Sequence, residues 1–225
     1  TFEYTDIAGL GKGASKGEGI GNQFLSNNRL CDAICDVVRC IDDADITHVE
    51  GSVDPIRDIE IINLELTLAD LQTVENRLSK VERKALTTKD KDAQAEMEVL
   101  KKLQAVLLEG KAARSVELTK DEYLLVKNFS LLTIKPMIYV ANMSEDTVGD
   151  PESNENYKKV CEYAASENNI VIPISAKIEE ELTGLEDEDK KEMLEALGLK
   201  ESGLDRVIKE SYSLLGLMSF LTAGE

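Results

Sequence analysis

No apolar run in this 225-residue chain reaches the ~18 residues that a membrane span requires, and its start carries no signal-peptide pattern. A membrane partner is therefore not expected. Cysteines are few: Cys31, Cys35, Cys40 and Cys161, with no C-x-x-C pair among them. A zinc site wants such a pair and imidazoles, and His48 is the only histidine. The thiols are expected to be reduced, in a cytoplasmic protein, with Cys35 acting as a small apolar residue in a buried strand. Cations are outnumbered, 26 Lys and Arg against 44 Asp and Glu, for a net charge of −18. This excludes an unaided grip on a nucleic-acid backbone, which needs clustered cations. A local group at Arg77, Lys80, Arg83, Lys84, Lys89 and Lys91 reads as a solvated helix face with i,i+4 pairs. Last, no Gly-Lys-Ser or Gly-Lys-Thr occurs, so the phosphate-cradling loop G-x-x-x-x-G-K-[ST] is missing.

That absence matters because three other nucleotide-site motifs are present, in order. Asp6-Ile7-Ala8-Gly9 is a D-x-x-G after Phe2-Glu3-Tyr4-Thr5, which reads as the end of a strand. Asn142-Met143-Ser144-Glu145 follows the strand-like run Met137-Ile138-Tyr139-Val140-Ala141. Ser175-Ala176-Lys177 follows Ile170-Val171-Ile172-Pro173-Ile174. In P-loop GTPase-type domains such motifs serve the Mg²⁺ and γ-phosphate, the base, and the base again. The glycine-rich stretch from Gly9 to Gly19 imitates a phosphate loop by composition only. Lys12 and Lys16 are each followed by Gly, whereas a P-loop lysine precedes the Ser or Thr that reaches Mg²⁺. Five glycines there suit a segment that is ordered by γ-phosphate and released after hydrolysis.

With 42% hydrophobic residues, the chain can bury a core and support a second subdomain. A helix is expected over 21–30 and a strand over 33–40. From Ile59 the apolar period becomes helical. One stripe runs through Leu64, Leu68, Leu71, Val74, Leu78, Val81 and Ala85, and a second through Ala93, Met97, Leu100, Leu103 and Leu107. Thr87 to Asp90 separates them, which predicts an antiparallel hairpin. Its first helix would be about 40 Å long at ~1.5 Å per residue, so it should project as an arm. Strands at 136–141 and 170–174, helices at 153–167, 187–197 and 202–215, and a last strand at 217–221 complete a mainly parallel sheet. The expected fold is α/β, a truncated P-loop GTPase-type sheet with an inserted coiled-coil arm. The parts are a first nucleotide-binding segment at 1–56, the arm at 57–115 and a second nucleotide-binding segment at 116–225.

The ordered set resembles the Obg-like ATPase (YchF) family of P-loop GTPases. It comprises Asp6-Ile7-Ala8-Gly9-Leu10, the glycine-rich stretch, Val38-Arg39-Cys40, the Asp-rich loop ending at His48-Val49, Asn142-x-x-Glu145, Ser175-Ala176-Lys177 and the terminal 220–225. The resemblance covers essentially the whole chain. It implies a nucleotide domain, a helical arm and a C-terminal TGS domain. On that footing the chain is expected to be a piece lacking the phosphate loop and the TGS domain, and inactive alone. The implied activity is ATP hydrolysis with Mg²⁺, in a cytoplasmic, monomeric switch protein. The implied partner is the ribosome, at its large subunit, and nucleic acid is reached only through it.

The base motif departs from the GTPase pattern N-K-x-D, whose Asp accepts two N–H bonds from guanine. Glu145 replaces that Asp, and one extra methylene misaligns a bidentate contact. Met143 replaces the Lys; its carbonyl could accept from adenine N6 while its side chain packs on the ring. Asn142 would brace the neighbouring loops. Asp6 is expected to hold Mg²⁺ through water, and the Gly9 amide to meet γ-phosphate. Leu10 occupies the position of the water-orienting Gln. His48 is then the candidate hydrolysis residue, since imidazole can position or deprotonate water near neutral pH. Two alternatives remain: a GTP-preferring enzyme, and a non-catalytic interaction module working through its arm.

Overall fold

The computed structural model describes residues 3–6, 25, 27–41, 53–88 and 90–220. The chain divides into two compact units. The first holds residues up to Ile34 and Glu60–Pro136; the second holds Cys35–Ile59 and the chain from Met137 onward.

In the first unit, Leu25 and residues 27–30 are helical (α1). The long helix α2, Pro55–Thr88, begins in the second unit and runs through the first. Its start is written in Asp54-Pro55. Proline is pre-set for the first helical position, and the Asp54 carboxylate accepts the Arg57 N–H at 3.2 Å. At ~1.5 Å per residue, its 34 residues make a rod of about 50 Å. Helix α3, Lys91–Leu108, is capped by Asp90, which accepts from Ala93 N–H at 2.9 Å. α2 and α3 meet through Val74, Val81 and Ala85 on one side and Ala93, Met97, Leu100, Leu103 and Leu107 on the other. Helix α4, Lys120–Val126, adds Val126 to the same cluster and opens on a reciprocal Thr119–Glu122 capping box.

The expected stripe fails at its N-terminal end. Leu64 is 52% exposed and Leu68 38%, while Leu66 and Asp70 are buried. α3 has 18 residues against 34 in α2. It can cover only the later part of the longer helix, so the seam does not reach back to Leu64. The basic cluster is partly structural. Arg77 forks onto Glu96, with 2.8 Å from its second nitrogen, and lies 5.5 Å over the Phe129 ring.

The second unit is a three-stranded sheet in the order β1 (Ile34–Arg39), β2 (Met137–Asn142), β3 (Ile170–Ile174). β2 and β3 are parallel, with Ile138 opposite Ile170 and Asn142 opposite Ile174. Ile34 N–H donates to Pro136 O at 3.0 Å and Cys40 N–H to Asn142 O at 2.9 Å. Those bonds advance six residues on each strand, so β1 is parallel to β2 as well. β2 is buried on both faces, as a central parallel strand must be. Ile138, Val140 and Ile172 pack with Val207 of α9, Gly203–Leu214. Tyr139 points the opposite way and meets Tyr163 of α6, Glu155–Ser166, edge to face at 6.2 Å. Between these lie α5 (Glu145–Val148), α7 (Ala176–Thr183) and α8 (Asp187–Ala196).

Three expectations need correction. Leu217 to Phe220 is not a strand; Met218 and Phe220 are 81% and 77% exposed and pair with no strand among the described residues. Glu3 to Thr5 is irregular and exposed rather than extended in a sheet. Cys35 does lie in a strand, but on its open face, so it is exposed and is not a core residue. Among the described residues, no helix is long and apolar enough to cross a membrane.

Candidate functional site

The second unit brings the two base motifs together at the C-terminal ends of adjacent parallel strands. That is where open α/β sheets bind their ligands. Asn142 ends β2, and the Ser175 loop follows β3. Met143 N–H continues the ladder by donating to Ile174 O at 2.8 Å. Asn142 Oδ1 then accepts the Ala176 N–H at 3.0 Å. One hydrogen bond thus ties the two loops to each other. Glu145, in the first turn of α5, reaches across to Lys177 of α7, with Oε1 to Nζ at 2.5 Å. The pair raises the Lys177 pKa above its ordinary value. Ser175 is buried and its carbonyl receives Glu179 N–H, closing the first turn of α7.

Glu179 also anchors this corner. Its carboxylate accepts from Gly203 N–H at 2.7 Å and Leu204 N–H at 3.2 Å, at the start of α9. A side chain at Gly203 would stand 2.6 Å from Ile174 Cγ2, so the close approach requires glycine. The loop after β3 is therefore held from two sides, by Asn142 and by the Glu179 bridge.

Met143 is 1% exposed. Its side chain is packed inside the unit and offers no open face for a purine ring. Ser144 and Thr147, not singled out by sequence, join hydroxyls at 2.9 Å. They border a cleft of about 410 Å³ that Cys40, Ile41 and Asn154 also line. The N-x-x-E pattern hid them because serine in a loop carries no signal of its own. Asn154 caps α6 and donates through Nδ2 to Cys40 O at 3.2 Å.

Asp6 is exposed and belongs to the first unit. Gly9 and His48 lie outside the described residues, as do the rest of the glycine-rich stretch and the Asp-rich loop. Among the described residues, no group of three His, Cys, Asp or Glu could hold a metal ion. Mg²⁺ is compatible with a single carboxylate, because it keeps most of its waters and takes oxygens from substrate phosphate.

One buried carboxylate was not foreseen. Asp36, in β1, is 7% exposed, and its Oδ2 has no hydrogen-bond partner among the described residues. Burial pushes its pKa up to about 7, and the charge of Asp58, in the first turn of α2, adds to the shift.

No family model matches the chain. It is 59% identical over 224 residues to the ribosome-binding ATPase YchF of Bacillus subtilis, covering 100% of this chain and 61% of that protein. The ribosome-binding ATPase YchF of Escherichia coli O157:H7 is 46% identical over the same extent. Among solved structures, the Schizosaccharomyces pombe YchF GTPase superposes with a TM-score of 0.80 at 38% identity. That match covers 93% of this chain and 57% of the other. The chain thus spans about three-fifths of the length of the curated relatives it matches.

Proposed function

The chain belongs to the YchF family of Obg-like P-loop GTPases, and from that membership we propose that it serves a nucleotide-dependent switch that binds and hydrolyses ATP with Mg²⁺. The proposed partner is the ribosome, at its large subunit, in translation or stress regulation. The protein would be cytoplasmic and monomeric. Residues 57–115 would be the arm, flanked by nucleotide-binding segments at 1–56 and 116–225. The names of the relatives motivate the ribosome and ATP; one solved relative is titled a GTPase, so the choice of base must be argued from residues.

The observation that carries the reading is the braced pair of loops. Asn142 Oδ1 is occupied by Ala176 N–H, and its Nδ2, which donates to no partner among the described residues, would be the donor for a purine N7. Adenine and guanine both present N7, so this contact fixes a purine without choosing between them. The choice falls to Glu145. Its ion pair with Lys177 is solvent-exposed on the lysine side and screened by water, so it holds Glu145 only weakly. A good bidentate base contact is worth about 1–3 kcal/mol. The ion pair alone would therefore yield to guanine. The extra methylene of Glu145 remains, and it displaces the carboxylate from the geometry that guanine's two donors need. The Met143 backbone can serve adenine N6, whereas its buried side chain cannot stack on the base.

Bound Mg²⁺ would supply charge neutralisation at the β- and γ-phosphates, with Asp6 holding it through water and the Gly9 amide meeting the γ-phosphate. His48 would orient or deprotonate the attacking water, because Leu10 cannot. Competition binding of ATP and GTP to the full-length protein tests the base assignment. Glu145→Asp with Met143→Lys should move preference toward GTP by about tenfold, the lower half of the bidentate range. An unchanged ratio would place selection elsewhere.

A further inference from the structure

Glu179 belongs to no nucleotide motif, yet it stands one turn after Ser175 on α7 and joins that helix to α9. Its carboxylate takes the N–H groups of Gly203 and Leu204, at 2.7 and 3.2 Å. These are the first two positions of α9, and the Ser202 hydroxyl takes the third, Asp205 N–H, at 3.0 Å. The first donors of a helix have no partner within it, and a carboxylate there also meets the positive end of its dipole. Glu179 is therefore a cap for α9 supplied by another helix.

Of the two helices, α9 is the one seated on the sheet. Val207 packs with Ile138, Val140 and Ile172. Gly203 comes so close to Ile174 that a β-carbon would stand 2.6 Å from its Cγ2. α7 buries Ile178 and Leu182. Such apolar contacts hold a helix against its neighbours but set no position along its axis, whereas directional bonds do. α7 begins at Ala176, whose N–H donates to Asn142 Oδ1 at 3.0 Å. Sheet, α9, Glu179, α7 and the Ser175-Ala176-Lys177 loop thus form one continuous chain of contacts, all of it within the second unit.

We propose that Glu179 is a positioning residue for the nucleotide base: by capping α9 it holds the start of α7, and with it Ala176 and Lys177, in the place where the base is received. This rests on the nucleotide-binding reading above. Both oxygens of Glu179 are engaged by α9, so it acts through α7. Its contribution is preorganisation. A loop already held in place need not be ordered when the ligand arrives, whereas a loose one takes the cost of ordering out of the affinity. The effect therefore falls on binding and not on the bound complex's rate, because hydrolysis takes place at the phosphate end of the nucleotide.

The test uses the full-length protein with the variants Glu179→Ala, Gly203→Ala and Glu179→Gln. Glu179→Ala removes the cap. Gly203→Ala strikes the same joint from the other side, placing a β-carbon 2.9 Å from Glu179 Oε1. In both, ATP Kd should rise about fivefold or more, the scale of one or two groups losing their preorganisation. The single-turnover rate at saturating ATP should fall less than threefold. Glu179→Gln keeps an acceptor for Gly203 N–H; it should raise Kd at least twofold and carries the comparison should Glu179→Ala not fold. In the nucleotide-free protein, hydrogen exchange read by NMR should quicken at least threefold at the Ala176 amide in Glu179→Ala and Gly203→Ala, with amides in β2 unchanged. Wild-type exchange at Ala176 in every folded variant overturns the brace. Fast exchange with a wild-type ATP Kd overturns the positioning role. A saturated rate that falls as far as the affinity also overturns it, since the disturbance would then reach beyond the base. If the parent protein binds no ATP, the nucleotide reading and the binding role built on it fall together, while exchange at Ala176 still decides the brace.

Discussion

Replacing Asp36 with asparagine should stabilise the chain at neutral pH, and the gain should vanish in mild acid. The carboxyl is buried in β1, its Oδ2 has no hydrogen-bond partner among the described residues, and its pKa stands at about 7 against 3.8 for an ordinary aspartate. Burial is the larger cause and the charge of Asp58 the smaller. A raised folded-state pKa means that the folded protein prefers the protonated form. The associated stability is complete below pH 3.8 and is lost progressively as pH rises to about 7. Three units at 1.36 kcal/mol each set a ceiling of about 4 kcal/mol for that loss. Asparagine has nearly the same shape and does not titrate. The variant should therefore gain about 2–3 kcal/mol on the parent between pH 5 and pH 8, where most of the parent's slope lies. Urea titrations of both proteins at those two pH values, read by circular dichroism, measure it. A pH-independent difference between variant and parent would refute the reasoning: it would mean that Asp36 is ionised throughout, with a counter-charge. Asp58→Asn should reproduce only the smaller share of the effect.

The hairpin seam predicts a contrast: Leu100→Asp should cost about 3–5 kcal/mol in urea, because it buries an unpaired charge, whereas Leu64→Asp, at a half-exposed site, should stay within about 0.5 kcal/mol. Asp70→Ala leaves the Leu132 and Thr133 amides without an acceptor and should cost about 3–5 kcal/mol by the same assay; a loss below about 1 kcal/mol would mean that water replaces the carboxylate. In the full-length protein, His48→Ala should lower kcat by about 10²–10⁴ if the imidazole is a general base, with ATP affinity little changed. A wild-type single-turnover rate would make His48 a surface residue, and equal losses of rate and ATP binding would make it a binding residue.

The helices and the two base-side strands were legible because their signals are local. β3 lies where its apolar run predicted, Ile170–Ile174, and α6 and α9 fall within the expected 153–167 and 202–215. The two loops meet because their strands are neighbours in a parallel sheet, and the Asn142–Ala176 bond joins them there. The reach of the seam was not legible. A three-four period repeats along α2 whether or not a partner is there, and only the shorter length of α3 leaves Leu64 and Leu68 in solvent.

The sequence by itself pointed to the class of this protein: three ordered motifs, two of them at the ends of strands, two helical apolar stripes between the first and second, and an Asn142-x-x-Glu145 pattern with Glu where GTPases have Asp. What only tertiary structure decided is which polar residues are buried. Asp36, Asp70 and Lys135 look like any surface charge in a one-dimensional reading, because an ionisable residue carries no periodic signal and its partners lie far away in the chain. Asp70 meets Thr133 across 63 residues and Lys135 meets Asn28 across 107. Met143 is a further case: its chemistry suits a base, but packing turns its side chain inward. Local pattern fixes elements; the fate of a charge depends on what the fold places around it.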